Sequence, residues 1–159
     1  MQKFSARQLA TGGTIAALYV VLTYLANMVG LASGAVQVRL SEALTILPCL
    51  TVAAVPGLTV GCVLANLLTG CALWDVVFGS LATLLGAIGT RLMRKTPNLA
   101  WIPPVVSNTI IVPLVLQKVY GVPDVLWFLA LTVGAGELIS CGLLGLLIYK
   151  PASRIIPAD

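Results

Sequence analysis

Apolar residues run in long blocks from residue 9 to residue 149, separated by short polar or proline-glycine breaks. Sustained period-two alternation, the mark of a membrane barrel, is missing, so the blocks read as helices. Four are plain spans, at residues 9–29, 76–90, 101–116 and 125–149. The stretch 42–71 is less clear, because Pro48 and the Pro56-Gly57 pair break it. It reads either as one long bent helix or as two short ones.

Composition fixes the solvent. Hydrophobic residues make up 59% of the 159 positions and charged residues 9%, with a mean hydropathy of +1.05. Too few polar residues remain to cover a water-soluble globule, and the chain reads as an all-α integral membrane protein. Basic residues then decide how 42–71 is divided. If it crosses twice and the N-terminus is cytoplasmic, Lys3, Arg7, Arg91, Arg94, Lys95, Lys150 and Arg154 all lie inside, and only Arg39 and Lys118 lie outside. A single crossing would move the Arg91–Lys95 cluster to the other side and destroy that bias. The expected architecture is one transmembrane domain, 1–159, multi-pass in the cell membrane, with both termini cytoplasmic. Its six helices fall near 9–29, 42–55, 57–71, 75–92, 101–118 and 125–149. The first is read as an uncleaved helix rather than a signal peptide, with LASGA at 31–35 the one sequence that resembles a cleavage site. The second, at about 1.5 Å per residue, reaches only about 20 Å. It is expected to be tilted, shielded or recessed from the outer surface, leaving an entrance there.

The polar residues gather on that outer side. Arg39 falls in the first external loop, Glu42 opens the second helix, and Asn66 lies near the outer end of the third. Asp75 starts the fourth, while Asn108 and Glu137 lie midway along the fifth and sixth. An ionisable group inside a span costs at least about 2.5–3.5 kcal/mol, so it persists where it is paired or lines a cavity. Glu137 follows Gly134-Ala135-Gly136, whose lack of bulk admits a flat ligand or another backbone. It could also bond Asn108 or Arg39 structurally; Asp75 could act as a helix cap, and Ser41-Glu42 could simply begin a helix. Trp74, Trp127 and Phe128 flank the same rim, as lipid anchors or as a stacking surface.

Other chemistry is thinly represented. No GxxxxGK[ST] phosphate loop occurs, so energy for active work must come from an ion gradient or another subunit. Histidine is absent and the four cysteines form no CxxC pair, which leaves no metal cluster, cofactor site or catalytic residue to assign. The cysteines read as small packing residues. Gly12/Ala16 and Gly13/Ala17 in the first helix, and Gly57/Gly61 in the third, place small residues four apart, where another helix can approach.

VQVRLSEALTILP, then PGLTVGCVLANLLTG, LWDVVFGSLATLLGA and VGAGELISCGLLG, together resemble the queuosine-precursor transporter family QueT across nearly the whole chain. That resemblance implies a substrate-binding S component of an energy-coupling-factor transporter. Such a component binds a micronutrient from outside, docks through its first helix on a membrane coupling subunit carried by two cytoplasmic ATPases, and topples to release cargo. The Gly12, Gly13, Ala16 and Ala17 patch fits the docking role, although the family motif is usually AxxxA. The implied cargo is a 7-deazaguanine base, with no nucleic-acid partner. Glu137 is expected to meet its N1–H and amine edge, and Asn108 its carbonyl or a ring nitrogen. Glu42 or Asp75 is expected to meet a protonated amine, Arg39 to orient Glu42 or close the loop, and Asn66, Trp74 and Trp127 to line the site. A gradient-driven transporter acting alone is the competing class, and another vitamin or heterocycle the competing cargo.

Overall fold

The computed structural model describes residues 4–31 and 37–156; Lys3, Asp159 and most of the LASGA stretch lie outside them. Helix α1 (Ala6–Met28) opens with a capping box, in which Ser5 and Gln8 satisfy each other's backbone N–H groups. It closes into a turn at Gly30, whose φ of 74° only glycine adopts cheaply. Helices α2 (Ala54–Leu68), α3 (Leu73–Leu92) and α4 (Ile102–Lys118) follow. Thirty residues near the C-terminal end, Leu126–Ile155, form one continuous rod. It runs as α5 (Leu126–Glu137), passes through a π-helical turn (Leu138–Leu144), and continues as α6 (Gly145–Ile155).

Among the described residues, four helical segments are long and apolar enough to cross a membrane, namely Ala6–Met28, Leu73–Leu92, Pro97–Lys118 and Leu126–Ile155. Their outward faces carry exposed Leu9, Val21, Leu85, Ile110, Leu131 and Leu147, a surface suited to lipid. The protein is an all-helical integral membrane protein.

The expected helix over 42–55 takes a different form. A 3₁₀ segment, Leu40–Cys49, occupies its place, and Pro48 lies inside it. At about 2.0 Å per residue, its ten residues gain length that an α-helix of the same size would lack. Every residue from Ser41 to Cys49 is buried. The segment touches α1, α2, α3, α6 and the π turn, making it the axis around which the helices pack. Hydropathy alone gives such a buried element no amphipathic face to read.

Glycine sets how closely α1 and α2 meet. A Cβ on Gly57 would lie 2.7 Å from the Gly12 carbonyl oxygen, and one on Gly61 would lie 3.0 Å from the Ala16 Cα. The backbones therefore nearly touch along this seam, with Ile15, Tyr19, Leu58 and Cys62 packed around it. Tyr19 is carried by the seam into the polar interior.

Candidate functional site

Three buried polar side chains converge where the 3₁₀ segment passes α4 and the final rod. Glu42 (0% exposed), Asn108 (1%) and Glu137 (4%) come from three separate elements. The carboxylates of Glu42 and Glu137 and the Cys141 sulfur each offer an atom within 4.8 Å of the others. The Tyr19 hydroxyl donates a hydrogen bond to Glu42 Oε1. Cys141 Sγ donates to Glu137 Oε2 at 3.1 Å, and Thr45 Oγ1 bridges the Glu42 carbonyl (2.6 Å) and Cys141 Sγ (3.3 Å). Asn108 faces both carboxylates.

The chamber is incompletely satisfied. Glu42 Oε2 and Asn108 Nδ2 are buried here without a close hydrogen-bond partner, as are Ser80 Oγ on α3, Thr109 Oγ1 on α4 and Ser140 Oγ in the π turn. Each such group costs roughly 1–3 kcal/mol, and native interiors hold few of them. An acceptor and a donor in one cluster suit a ligand that both gives and takes hydrogen bonds. The Glu42, Glu137 and Cys141 trio has the spacing of cation ligands, but the Asn108 N–H donor beside it favours an organic guest.

A loop roofs the chamber. A Cβ on Gly136 would lie 2.0 Å from the Gln37 carbonyl oxygen, so the loop backbone rests directly on the last rod, one residue from Glu137. The small-residue run at 134–136 thus accepts another backbone, and Thr109 approaches Gly134 from α4. Beside the roof, Tyr19, Gln37, Arg39, Ser41 and Asn66 line a cavity of about 160 Å³. Tyr19 belongs to both spaces, lining the cavity and bonding Glu42. Arg39, half-buried, lies within electrostatic reach of Glu42, Glu137 and Asp75.

Asp75 occupies a separate position. It accepts a hydrogen bond from the Tyr120 hydroxyl at 3.0 Å, and that oxygen also accepts from the Ala72 N–H at 3.1 Å. Burial and the neighbouring Asp75 carboxylate push the Tyr120 phenol up to about 12, against the pull of the Ala72 bond, so it stays a donor at neutral pH. Asn66 and Asp75 flank Gly79, where a Cβ would meet Asn66 Nδ2 at 3.2 Å and Asp75 Oδ1 at 3.4 Å. Trp74 (59% exposed) stacks on Phe78 and Trp127 (66%) meets Phe128 edge-on. Both indoles are exposed and lie apart from the residues that line the cavity.

A family model described as QueT transporter matches residues 9–154. The chain belongs to the QueT transporter family. No match is found among the curated proteins or the solved structures. As a QueT transporter it handles a small-molecule substrate rather than catalysing a reaction on one. Its match spans every element that builds the polar chamber, from α1 through α6.

Sequence reasoning did not reach several members of this buried cluster. Tyr19 carried a usable signal, since a tyrosine in mid-span lies away from the interfacial belt and its hydroxyl needs a partner. Cys62 and Cys141 do more than pack. Cys62 Sγ accepts from Thr83 Oγ1 at 3.4 Å, and Cys141 Sγ donates to Glu137. Ser80, Thr109 and Ser140 carried no signal, because hydroxyls inside spans usually bond their own helix backbone.

Proposed function

We propose that this QueT transporter is the substrate-binding S component of an energy-coupling-factor system and that its cargo is a 7-deazaguanine precursor of queuosine. The buried, unpartnered polar atoms around Glu42, Asn108 and Glu137 support this reading most directly. A 7-deazaguanine presents an N1–H and amine pair to one carboxylate and a carbonyl to an amide donor. Glu137 takes the first role and the Asn108 N–H the second, and the loop at Gln37–Arg39 closes over the bound base. The flat ring lies between the 3₁₀ segment and α4.

The proposed topology has six crossings, the 3₁₀ segment and α2 being the two short ones, with both termini in the cytoplasm of a cell-membrane protein. Among the described residues, Arg7, Arg91, Arg94, Lys95, Lys150 and Arg154 then lie inside, and Arg39 and Lys118 outside. The coupling subunit docks on α1, with ATP hydrolysis left to two cytoplasmic partners.

Binding of 7-deazaguanines, guanine and a set of vitamins to the purified chain tests the assignment. Micromolar or tighter binding confined to 7-deazaguanines is expected. A flat response to every deazapurine, with tight binding of some vitamin, sinks the cargo assignment. Uptake in vesicles holding this chain alone, without ATPases, favours the gradient-driven class instead.

A further inference from the structure

The chamber has more negative than positive charge. Two carboxylates, Glu42 and Glu137, lie within a few ångströms of each other. The charged and titratable groups facing them are Tyr19 from α1, Cys62 from α2, Arg39 from the loop and Cys141 from the π turn. Among the described residues, Arg39 is the sole basic side chain acting on either carboxylate, and Asp75 shares it. From α4 comes the Asn108 amide, which is neutral. Two negative charges therefore meet one shared positive charge, and a dry chamber holds such a pair ionised only when another cation or a proton joins it.

The hydrogen bonds show where that charge belongs. Tyr19 occupies Glu42 Oε1, while Glu42 Oε2 is buried and unpartnered. Glu137 Oε2 is engaged by Cys141. Asp75, the other carboxylate considered for an amine, is held by Tyr120 and acts on neither member of the pair. We infer that the preferred cargo is a monocation whose positive group sits on Glu42 Oε2, where it replaces the proton that the carboxylate pair holds when the site is empty or filled by an uncharged analogue. This rests on the 7-deazaguanine reading above and narrows it to precursors bearing a protonated amine.

Calorimetry on the purified full chain, with 7-aminomethyl-7-deazaguanine as the cation and 7-cyano-7-deazaguanine as the uncharged analogue, separates the possibilities. Titrations in buffers of different ionisation heat count the protons taken up or released. The nitrile is expected to bind with almost no proton exchange and to change less than about threefold in affinity between about pH 6 and about pH 7. The amine is expected to bind with release of about one proton and to gain about tenfold in affinity per pH unit over that range. In Glu42→Gln the preference for the amine falls to within about threefold. If that variant does not fold, the wild-type proton counts still decide. Equal proton counts and equal pH profiles for the two ligands overturn the charge inference while leaving the binding site standing. Failure of both to bind overturns the inference and the cargo assignment together.

Discussion

The seam between α1 and α2 and the chamber between the 3₁₀ segment, α4 and the final rod are both buried, and they are built on opposite principles. At the seam, Gly57 and Gly61 let the backbones close to van der Waals contact. In the chamber, Glu42 Oε2 and Asn108 Nδ2 are buried without close hydrogen-bond partners. One region is finished by the chain itself; the other is finished by what binds there. A residue's burial therefore says little about its role until its hydrogen bonds are counted.

The same contrast divides the small residues of α1. Gly12 and Ala16 face α2, with Gly12 lying 3.1 Å from the Ala53 carbonyl oxygen when a Cβ is added. Gly13 has nothing within 4 Å and is exposed, as is Ala17. Two seams one residue apart thus have different occupants, and the open one is the face left for the proposed coupling subunit.

Substitutions that touch only one region sharpen the comparison. Gly57→Leu drives a side chain into the Gly12 backbone and is expected to destabilise the fold by about 3 kcal/mol. Thermal unfolding in detergent would show it, and a stability within about 0.5 kcal/mol of wild type would mean that the seam is loose. Asn108→Ala is expected to weaken 7-deazaguanine binding about tenfold. Folding stability should fall by about 1 kcal/mol, because the amide that faces both buried carboxylates is removed. Ala17→Leu should alter stability by less than about 0.5 kcal/mol and leave ligand affinity intact. It should nevertheless block co-purification with the coupling subunit, and intact co-purification would move the docking face elsewhere.

The four long helices were legible because length and hydropathy alone specify a span. The 3₁₀ form of Leu40–Cys49 was not. Its polar residues Ser41, Glu42 and Thr45 are as buried as its apolar ones, and helical periodicity has nothing to report where every face is buried. Glu42, Asn108 and Glu137 stood out individually as polar residues in apolar runs. Their convergence depends on the crossing of three elements distant in sequence, which no local pattern encodes. The glycines at 134–136 left two readings open, a flat ligand or another backbone. The Gln37 carbonyl on Gly136 is the backbone case, and it places the loop as a roof.

Glu137→Gln tests the contrast most directly, through thermal unfolding measured with and without a 7-deazaguanine. A saturating ligand at 100 times its Kd stabilises the native state by about 2.7 kcal/mol. If the chamber is built for cargo, the variant is as stable as wild type without ligand, or more so, because a costly buried carboxylate is gone. Its ligand-induced stabilisation is lost. A variant that unfolds readily without ligand and keeps the full ligand-induced shift would contradict the account, and would make Glu137 a structural strut.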